Sequence, residues 1–410
     1  VYSTWFGSDS LRIAVFSDSY KPYVSGVVNS LDTFGRELRR MGHQWYIFAP
    51  AYPGYADDEP GVFRFMSVAA PTNPDYRLAI PLSLAVCRRL RELRIDVVHT
   101  HSPFLMGGLG ARAARRLKLP LVFTYHTVYE EYVHYSPVAR GLAKRLMRMI
   151  SRRYCNDCDT VIVPTQAIRD LLDRYGVQTE VVVNPTGIDL SRYERLDRGF
   201  LRQKLGIPAD HRILLFVGRL GKEKNVHFLI RAFSRIAQED DRVTLVMVGG
   251  GPERVDLEQL ARSLGMEQKV VFAGAMQPGD MPTVYAGGDI FVFTSTTDTQ
   301  GMVITEAMAA GLPVVAVKAY GSGNVVDHGI NGLLTSVDEA EFAAAVVALL
   351  RDASLFSRLA LGTRQKAEEM SSTRCAKRLE QVYLSAVEKK ARVQRRQNAS
   401  NGGLSSCDQA

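Results

Sequence analysis

Two patterns of apolar and polar residues alternate along this chain. Short β-branched runs give way to longer amphipathic stretches, and the alternation repeats from end to end. The short runs predict strands at Arg12–Phe16, Gln44–Ala49, Val62–Met66, Asp96–Thr100, Leu121–Tyr125, Thr160–Pro164 and Glu180–Val183. A second set follows at Ile213–Val217, Thr244–Val248, Val270–Ala273, Asp289–Thr294 and Pro313–Val317. Helical segments such as Asn29–Met41, Ser83–Leu93, Asn225–Gln238 and Asp256–Leu264 fill the intervals. Strand–helix alternation of this kind predicts an α/β protein with parallel sheets covered on both faces. Right-handed crossovers then make each half doubly wound.

The interval Asp189–Asp210 is polar, lacks a strand run and ends at Gly206-Ile-Pro208 before a fresh strand. It predicts an N-terminal Rossmann-like domain over 11–190, a linker over 191–210 and a C-terminal Rossmann-like domain over 211–370. A helix over 371–390 is expected to pack back on the first domain. The basic, then Ser/Asn/Gly-rich tail over 391–410 is expected to be disordered. A chain of 410 residues is too long for a single core, in keeping with this division. Open α/β sheets bind ligands at the carboxyl ends of their strands, so two such domains are expected to face a central cleft.

Composition narrows the classes. With 46% hydrophobic and 23% charged residues the chain reads as soluble and globular. No apolar run reaches the ~18–20 residues that span a bilayer. The first ten residues show no basic segment followed by an apolar one, so no secretory leader is expected. Five cysteines, an odd number in a large chain, argue against a disulfide framework and for a reducing cytoplasm. Cys155 and Cys158 form a lone C-x-x-C, and Cys87, Cys375 and Cys407 supply no second pair at zinc-site spacing. The net charge of +8 suits an acidic partner: nucleic acid, an anionic membrane or a phosphorylated substrate. No basic stripe is interleaved with stacking aromatics, and no zinc finger or RNA-binding signature is present, which argues against nucleic acid.

Candidate chemistry gathers at strand ends. Asp298-Thr-Gln-Gly-Met-Val-Ile-Thr-Glu306 sets two carboxylates eight residues apart, around Gln300, Gly301, Met302 and Val303 at a helix N-terminus. Backbone N–H groups there suit anions and hydroxyls, as a nucleotide-sugar offers. Gly218-Arg219-Leu-Gly-Lys-Glu-Lys224 follows a strand, and a guanidinium fork beside an ammonium suits a diphosphate. The turn Tyr20–Asn29 carries Gly26, which either admits a phosphate or serves packing. Gly249-Gly250-Gly251 reads equally as a ligand-admitting backbone and as a plain tight turn. His126 ends another strand; His99 and His101 share one face of a strand with no carboxylate partner in sequence. No D-x-D motif suited to Mg²⁺ is seen.

These motifs, at this spacing, resemble the E-x7-E signature of retaining glycosyltransferases of family 4, which have the GT-B fold. One departure is Asp298, where that pattern usually has Glu. The resemblance covers nearly all of residues 11–390. It implies that Arg219 and Lys224 clamp the departing nucleoside diphosphate, that Glu306 holds the ribose and Asp298 the sugar hydroxyls. His126 would touch the donor sugar, Gly26 would neighbour phosphate or acceptor, and the segment with Ala275 and Met276 would read the base. Gly218, Gly250 and Gln300 to Val303 would complete the donor site. The resemblance also implies retention without a metal or cofactor, by front-face displacement in which the donor phosphate takes the acceptor proton. Asn184-Pro-Thr-Gly187-Ile-Asp189 resembles the turn that closes the family's first domain. Tyr125-His-Thr-Val-Tyr-Glu-Glu-Tyr132-Val-His-Tyr135 resembles bacterial diacylglycerol glucosyltransferases.

The segment after that phrase is basic. At ~100° per residue, Arg140, Lys144, Arg145, Arg148 and Arg152 gather on one arc. Leu142, Leu146, Met149 and Ile150 fall on the other, with Arg153 among them and no acidic residue between. Such a helix suits an anionic bilayer, its apolar side going either to lipid or to the core. The expected activity is therefore transfer of a hexose, glucose from UDP-glucose foremost, to a lipid acceptor such as 1,2-diacylglycerol at the inner face of the plasma membrane. Alternatives are a GDP-mannose-dependent lipid or phosphatidylinositol mannosyltransferase, a GT-B UDP-sugar 2-epimerase and a binding protein whose catalysis has decayed.

Overall fold

All residues of Val97–Thr100, Leu121–Thr124, Thr160–Val163, Val243–Val248, Ile290–Phe293 and Val314–Val317 are buried. Strands reach that state only when helices cover both faces of their sheet. The computed structural model describes residues 10–71, 73–81, 85–130 and 140–402. It divides into two compact units, one formed by residues up to Thr186 together with those from Thr373 onward, the other by Gly187–Ser372.

The first unit holds β1 (Arg12–Phe16), β2 (Gln44–Pro50), β3 (Val62–Phe65), β4 (Ser67–Ala70), β5 (Asn73–Ala79), β6 (Val97–Thr100), β7 (Leu121–Thr124), β8 (Thr160–Val163) and β9 (Val181–Val183). Seven of these make a parallel sheet in the order β3-β2-β1-β6-β7-β8-β9, while β4 and β5 pair separately and antiparallel. The second unit holds β10 (Arg212–Val217), β11 (Val243–Val248), β12 (Val270–Gly274), β13 (Ile290–Phe293), β14 (Val314–Val317) and β15 (Gly332–Thr335), in the parallel order β12-β11-β10-β13-β14-β15. Both orders reverse once, beside β1 and beside β10. This is the doubly wound arrangement, whose ligand crevice lies at the reversal.

Each sheet is sandwiched by helices whose apolar stripes seal it. Val226–Glu239 buries Phe228, Leu229, Phe233 and Ile236 against Leu214, Phe216, Leu245 and Met247. On the other face Ile304, Ala307 and Met308 pack with Phe291, Phe293 and Val314. Some helix starts carry side-chain caps: Ser25 accepts from the Val28 N–H, and Asp352 from those of Ser354 and Leu355.

Several sequence expectations are corrected here. The interval 191–210 is not a free linker. It forms a 3₁₀ turn, Leu190–Tyr193, and a helix, Phe200–Leu205, whose Leu201 is fully buried in the second unit's core. That unit accordingly begins at Gly187, not 211. The segment from residue 391 is not disordered as far as it is described, because a helix runs from Ser372 to Gly402. Residues 403–410 and residues 131–139, which include part of the Tyr125–Tyr135 phrase, lie outside the described residues. β4, β5 and β15 had no counterpart in the predicted strands. Pro74 and Asp75 are poor strand formers, and β15 starts at an Asn-Gly pair that reads as a turn.

The helix Ser372–Gly402 belongs to the first unit's core. Cys375, Ala376, Leu379, Val382, Tyr383 and Ala386 recur at helical spacing and pack among Ile13, Val15, Leu31 and Leu38. Glu380 meets His43 Nε2 at 2.9 Å, and Lys390 meets Asp159 at 2.9 Å. Leu379→Ala is therefore expected to lower the first unit's stability by about 2–5 kcal/mol, the range for a buried leucine that leaves a cavity. Urea unfolding followed by circular dichroism measures this. A loss under about 1 kcal/mol would mean that the helix is not part of that core.

Candidate functional site

In the second unit the chemistry stands on the two loops that leave β10 and β13, the strands flanking the reversal. Backbone bonds fix the first loop: Gly218 N–H to Val248 O at 2.9 Å and Leu220 N–H to Gly250 O at 2.9 Å. Gly249 has φ +136°, and a Cβ there would stand 2.0 Å from the Gly218 carbonyl oxygen. Only glycine fits that approach. The triple glycine thus serves backbone packing at Gly249, while Gly250 itself is exposed with open space beside it.

The loop then makes one 3₁₀ turn, Lys222–Lys224, and the second loop holds it there. Thr294 Oγ1 donates to Lys224 O and Ser295 Oγ to Glu223 O, each at 2.9 Å. Lys224 Nζ consequently lies 2.5 Å from Asp298 Oδ2, with both side chains mostly out of solvent. Arg219 is exposed and contacts Glu223 at 3.2 Å. Asp298 thus reaches the ammonium directly, although it is one methylene shorter than Glu.

Beyond Asp298, Gln300 is buried, and Gly301 takes φ +66° to open the helix Met302–Ala309. Met302 and Val303 form its half-buried first turn. Glu306, one turn further on, accepts from Tyr285 Oη at 2.5 Å. Burial pushes its carboxyl above the ordinary range, against the lowering effects of Tyr285 and Arg192. Met276 packs partly on the core beside this helix, and its neighbour Ala275 is exposed just after β12.

The first unit repeats the plan at its own reversal. Asp18, two residues beyond β1, accepts from the Met106 N–H at 2.7 Å and from the Ser102 hydroxyl. It thereby ties that loop to the start of the helix Leu105–Leu117. Gly26 is exposed at the first position of Gly26–Arg40. The histidines form one stack: His99 and His101 ring centroids are 4.1 Å apart, and those of His101 and His126 are 5.0 Å apart. His101 Nδ1 lies 2.7 Å from His126 Nε2. His99 is held by Tyr383 Oη and Thr124 Oγ1, both at 2.7 Å. Sequence reasoning singled out His126 but gave His101 no role. The signal was the x-His-x-His spacing, and only strand order shows that β6 and β7 are neighbours.

The basic helix spans Arg140–Asn156. Its buried side is Ala143, Ser151 and Cys155. Of the four residues on the predicted apolar arc, only Ile150 is half-buried. Leu142, Leu146 and Met149 are 63%, 44% and 58% exposed, on the same outward side as Arg145, Arg152 and Arg153. Lys144 is half-buried, and Arg148 is committed to the Glu130 carboxylate and the Tyr175 ring. The Arg140 side chain lies outside the described residues.

No group of three or more His, Cys, Asp or Glu side chains that could hold a metal occurs among the described residues. Cys155 and Cys158 are buried thiols, and burial pushes Cys155 up to about 12 and Cys158 higher than its ordinary value, so neither is a ready thiolate ligand.

Burial keeps the histidine stack neutral. His99 is pushed down to about 3, chiefly by desolvation and then by His126; desolvation alone takes His126 to about 4, and His101 lies well below its ordinary value. In the unfolded chain the rings titrate near ~6.5. The folded pKa values being depressed, the stabilisation is present above about pH 6.5 and is lost as pH falls towards the folded values. Each histidine is expected to remove up to about 1.4 kcal/mol per pH unit below that point. Urea midpoints at pH 7.5 and pH 5 measure the slope. His126→Gln should flatten it by one proton's worth, and an unchanged slope would contradict the neutral stack.

Two family descriptions match the chain: Glycosyltransferase Family 4 over residues 24–192, and Glycosyl transferases group 1 over residues 197–368. An alpha-monoglucosyldiacylglycerol synthase from Streptococcus pneumoniae is 34% identical over 387 residues, 92% of this chain and 86% of that protein. Another, from Acholeplasma laidlawii, is 30% identical over 92% of this chain and 98% of its own length. Among solved structures, Anabaena HepE in complex with UDP superposes with a TM-score of 0.75 at 25% identity, covering 92% of this chain and 100% of that one. Two doubly wound domains, motifs at both strand-order reversals and this degree of identity lead to one conclusion: the chain belongs to glycosyltransferase family 4, with the GT-B fold.

Proposed function

We propose that this chain transfers glucose from UDP-glucose to the free hydroxyl of 1,2-diacylglycerol, with retention, while docked on the inner face of the plasma membrane. The observation that carries the lipid acceptor is the outward side of Arg140–Asn156, where Leu142, Leu146 and Met149 are exposed beside Arg145, Arg152 and Arg153. Exposed leucines interleaved with cations cost solubility on a free surface, and a bilayer interface satisfies both. No helix among the described residues is long and apolar enough to cross a membrane, so the contact would be peripheral. The names of the two synthases and the UDP in the HepE complex support the choice of acceptor and base.

In this reading the bond from the anomeric carbon to the β-phosphate oxygen breaks, and its electrons stay on UDP. The acceptor oxygen bonds the same face of that carbon and gives its proton to the phosphate. Arg219, Lys224 and the helix start at Gly301 to Val303 stabilise the departing charge. Glu306 accepts from the ribose hydroxyls, Asp298 orients the sugar hydroxyls and Lys224 together, and His126 orders the reacting sugar. Gly250, Ala275 and Met276 border the nucleotide, and Gly26 neighbours phosphate or acceptor.

Incubation with panels of UDP- and GDP-sugars and diacylglycerol liposomes, followed by mass spectrometry of the lipids, tests the reaction. Glucosyl-diacylglycerol from UDP-glucose is expected. Product from GDP-mannose alone, or an epimerised free sugar nucleotide, would overturn it. Lys224→Ala and Arg219→Ala are each expected to lower kcat by about 10²-fold or more with urea midpoints near the parent's, because neither side chain is a core contact. Turnover close to the parent's would sink the clamp assignment.

Docking is tested by flotation with anionic vesicles. Leu146→Ser with Met149→Ser should weaken binding at any salt concentration. Arg145→Glu with Arg152→Glu should weaken it by about tenfold or more at low salt, since each cation near the surface contributes about 1 kcal/mol. Undiminished flotation of both double variants would remove this helix from the interface.

A further inference from the structure

A buried tyrosine stands behind the carboxylate assigned to the ribose. Tyr285 belongs to the helix Met281–Ala286, is fully buried and packs its ring near Phe291, with centroids 5.9 Å apart. Its Oη lies 2.5 Å from Glu306 Oε2. Burial, then the Glu306 charge, push the phenol well above its ordinary range, so the hydroxyl keeps its proton and is the donor. Glu306 itself is only half-buried. Its Oε1 takes no hydrogen bond from a described residue and is not sealed from solvent. The carboxylate therefore joins a sealed donor on one side to accessible surface on the other. Arg192 and Tyr193, from the turn Leu190–Tyr193, are the other charged and titratable groups that act on it. Arg192 does so through its charge alone, while its guanidinium donates to Pro278 O at 2.6 Å. Burial, and then Glu306, raise the Tyr193 phenol.

We propose that Tyr285 is a positioning residue for nucleotide recognition: it holds Glu306 Oε2 inward, so that Oε1 meets a ribose hydroxyl and the site prefers ribonucleoside diphosphates over their deoxy forms. The inference rests on the reading of Glu306 as the ribose ligand and deepens it. A glutamate on a helix surface samples several rotamers, and fixing one of them costs ordering free energy at each binding event. Here the ordering is done in advance, by a donor sealed from solvent that the nucleotide does not touch. The same bond keeps the carboxylate an acceptor. Burial raises the Glu306 carboxyl, and the Tyr285 hydroxyl opposes this more than Arg192 does. Without that hydroxyl the carboxyl would rise further and take up its proton at a higher pH.

The test compares UDP with 2′-deoxy-UDP and 3′-deoxy-UDP by calorimetry on the full-length protein. The ratio of Kd values is used, so that titration of the diphosphate cancels. The parent should favour UDP over at least one analogue by about ten- to a hundredfold, the range for a hydrogen bond to a charged group. Tyr285→Phe keeps the ring and removes the donor. It should bring that ratio to within about threefold while binding the deoxy analogue nearly as the parent does. The drop should be larger at pH 6 than at pH 8, because the raised carboxyl is protonated first at the lower pH, and the parent's ratio should change less. An equal loss for UDP and both analogues, or a ratio equal to the parent's, would overturn the role of Tyr285. A second measurement needs no Tyr285 variant. In the parent, the Tyr285 hydroxyl proton should give a slowly exchanging downfield resonance with and without UDP, absent in Glu306→Ala. Its loss on adding UDP would mean that Glu306 leaves the tyrosine to bind ribose, and would overturn the proposal. Glu306→Ala also separates the two readings. If it keeps the parent's ratio, Glu306 does not hold the ribose and both assignments fall. If it loses the ratio while Tyr285→Phe keeps it, Tyr285 alone falls.

Discussion

A parallel sheet whose strand order reverses sends the connections on either side of the reversal to opposite faces. The two strand ends beside it are therefore left uncovered by any crossover helix. Both sheets here obey that constraint, between β1 and β6 and between β10 and β13. In the second unit it brings Lys224 from one loop to Asp298 on the next, 74 residues along the chain. In the first it brings Asp18 to Ser102 and Met106. The polar groups at these points are tolerated because each is bonded by the opposite lip rather than left bare in a buried sheet end.

The Lys224–Asp298 contact illustrates which effect governs such a site. At a contact distance the attraction in an effective dielectric of about 20 is roughly 4 kcal/mol or more, yet desolvation of both groups and the ordering of two side chains offset most of it. A pair this far out of solvent is therefore a weak source of stability. The consequence is geometric. The ammonium is held at a known point above the strand ends, with Thr294 and Ser295 anchoring the backbone that carries it. A site whose cation is already in place loses little to reorganisation when an anion arrives.

The helix Arg140–Asn156 answers two demands with one sequence. Its inward side buries Ala143, Ser151 and Cys155 and sets the Tyr154 ring edge-on to Phe123 at 4.9 Å, with the Tyr154 hydroxyl donating to Gly107 O at 2.9 Å. Leu142, Leu146 and Met149 point the other way. Arg148, pulled to Glu130, fixes the helix in place, while Arg145, Arg152 and Arg153 remain on the outward side. An ordinary surface helix would put Leu142, Leu146 and Met149 inside.

The sequence by itself determined the architecture. Strand and helix alternation was strong because buried parallel strands have no polar face, so β1 to β3, β6 to β9 and β10 to β14 could be found from apolar runs alone. The glycine and charge motifs at Gly218 to Lys224 and Asp298 to Glu306 were legible because strand ends need turns and the ligand class needs cations and amides at those turns. What it left to the tertiary structure was set by contacts distant in the chain. The helix over 371–390 was expected to pack back on the first domain, but its partners there, Ile13, Val15 and Leu31, and its continuation to Gly402 appear only in the tertiary structure. The basic helix showed two arcs, but periodicity cannot say which side meets the core, and packing chose the side of Ala143, Ser151, Tyr154 and Cys155. His101 showed only the x-His-x-His spacing, because its hydrogen bond to His126 depends on strand order, which residue spacing within one strand does not encode.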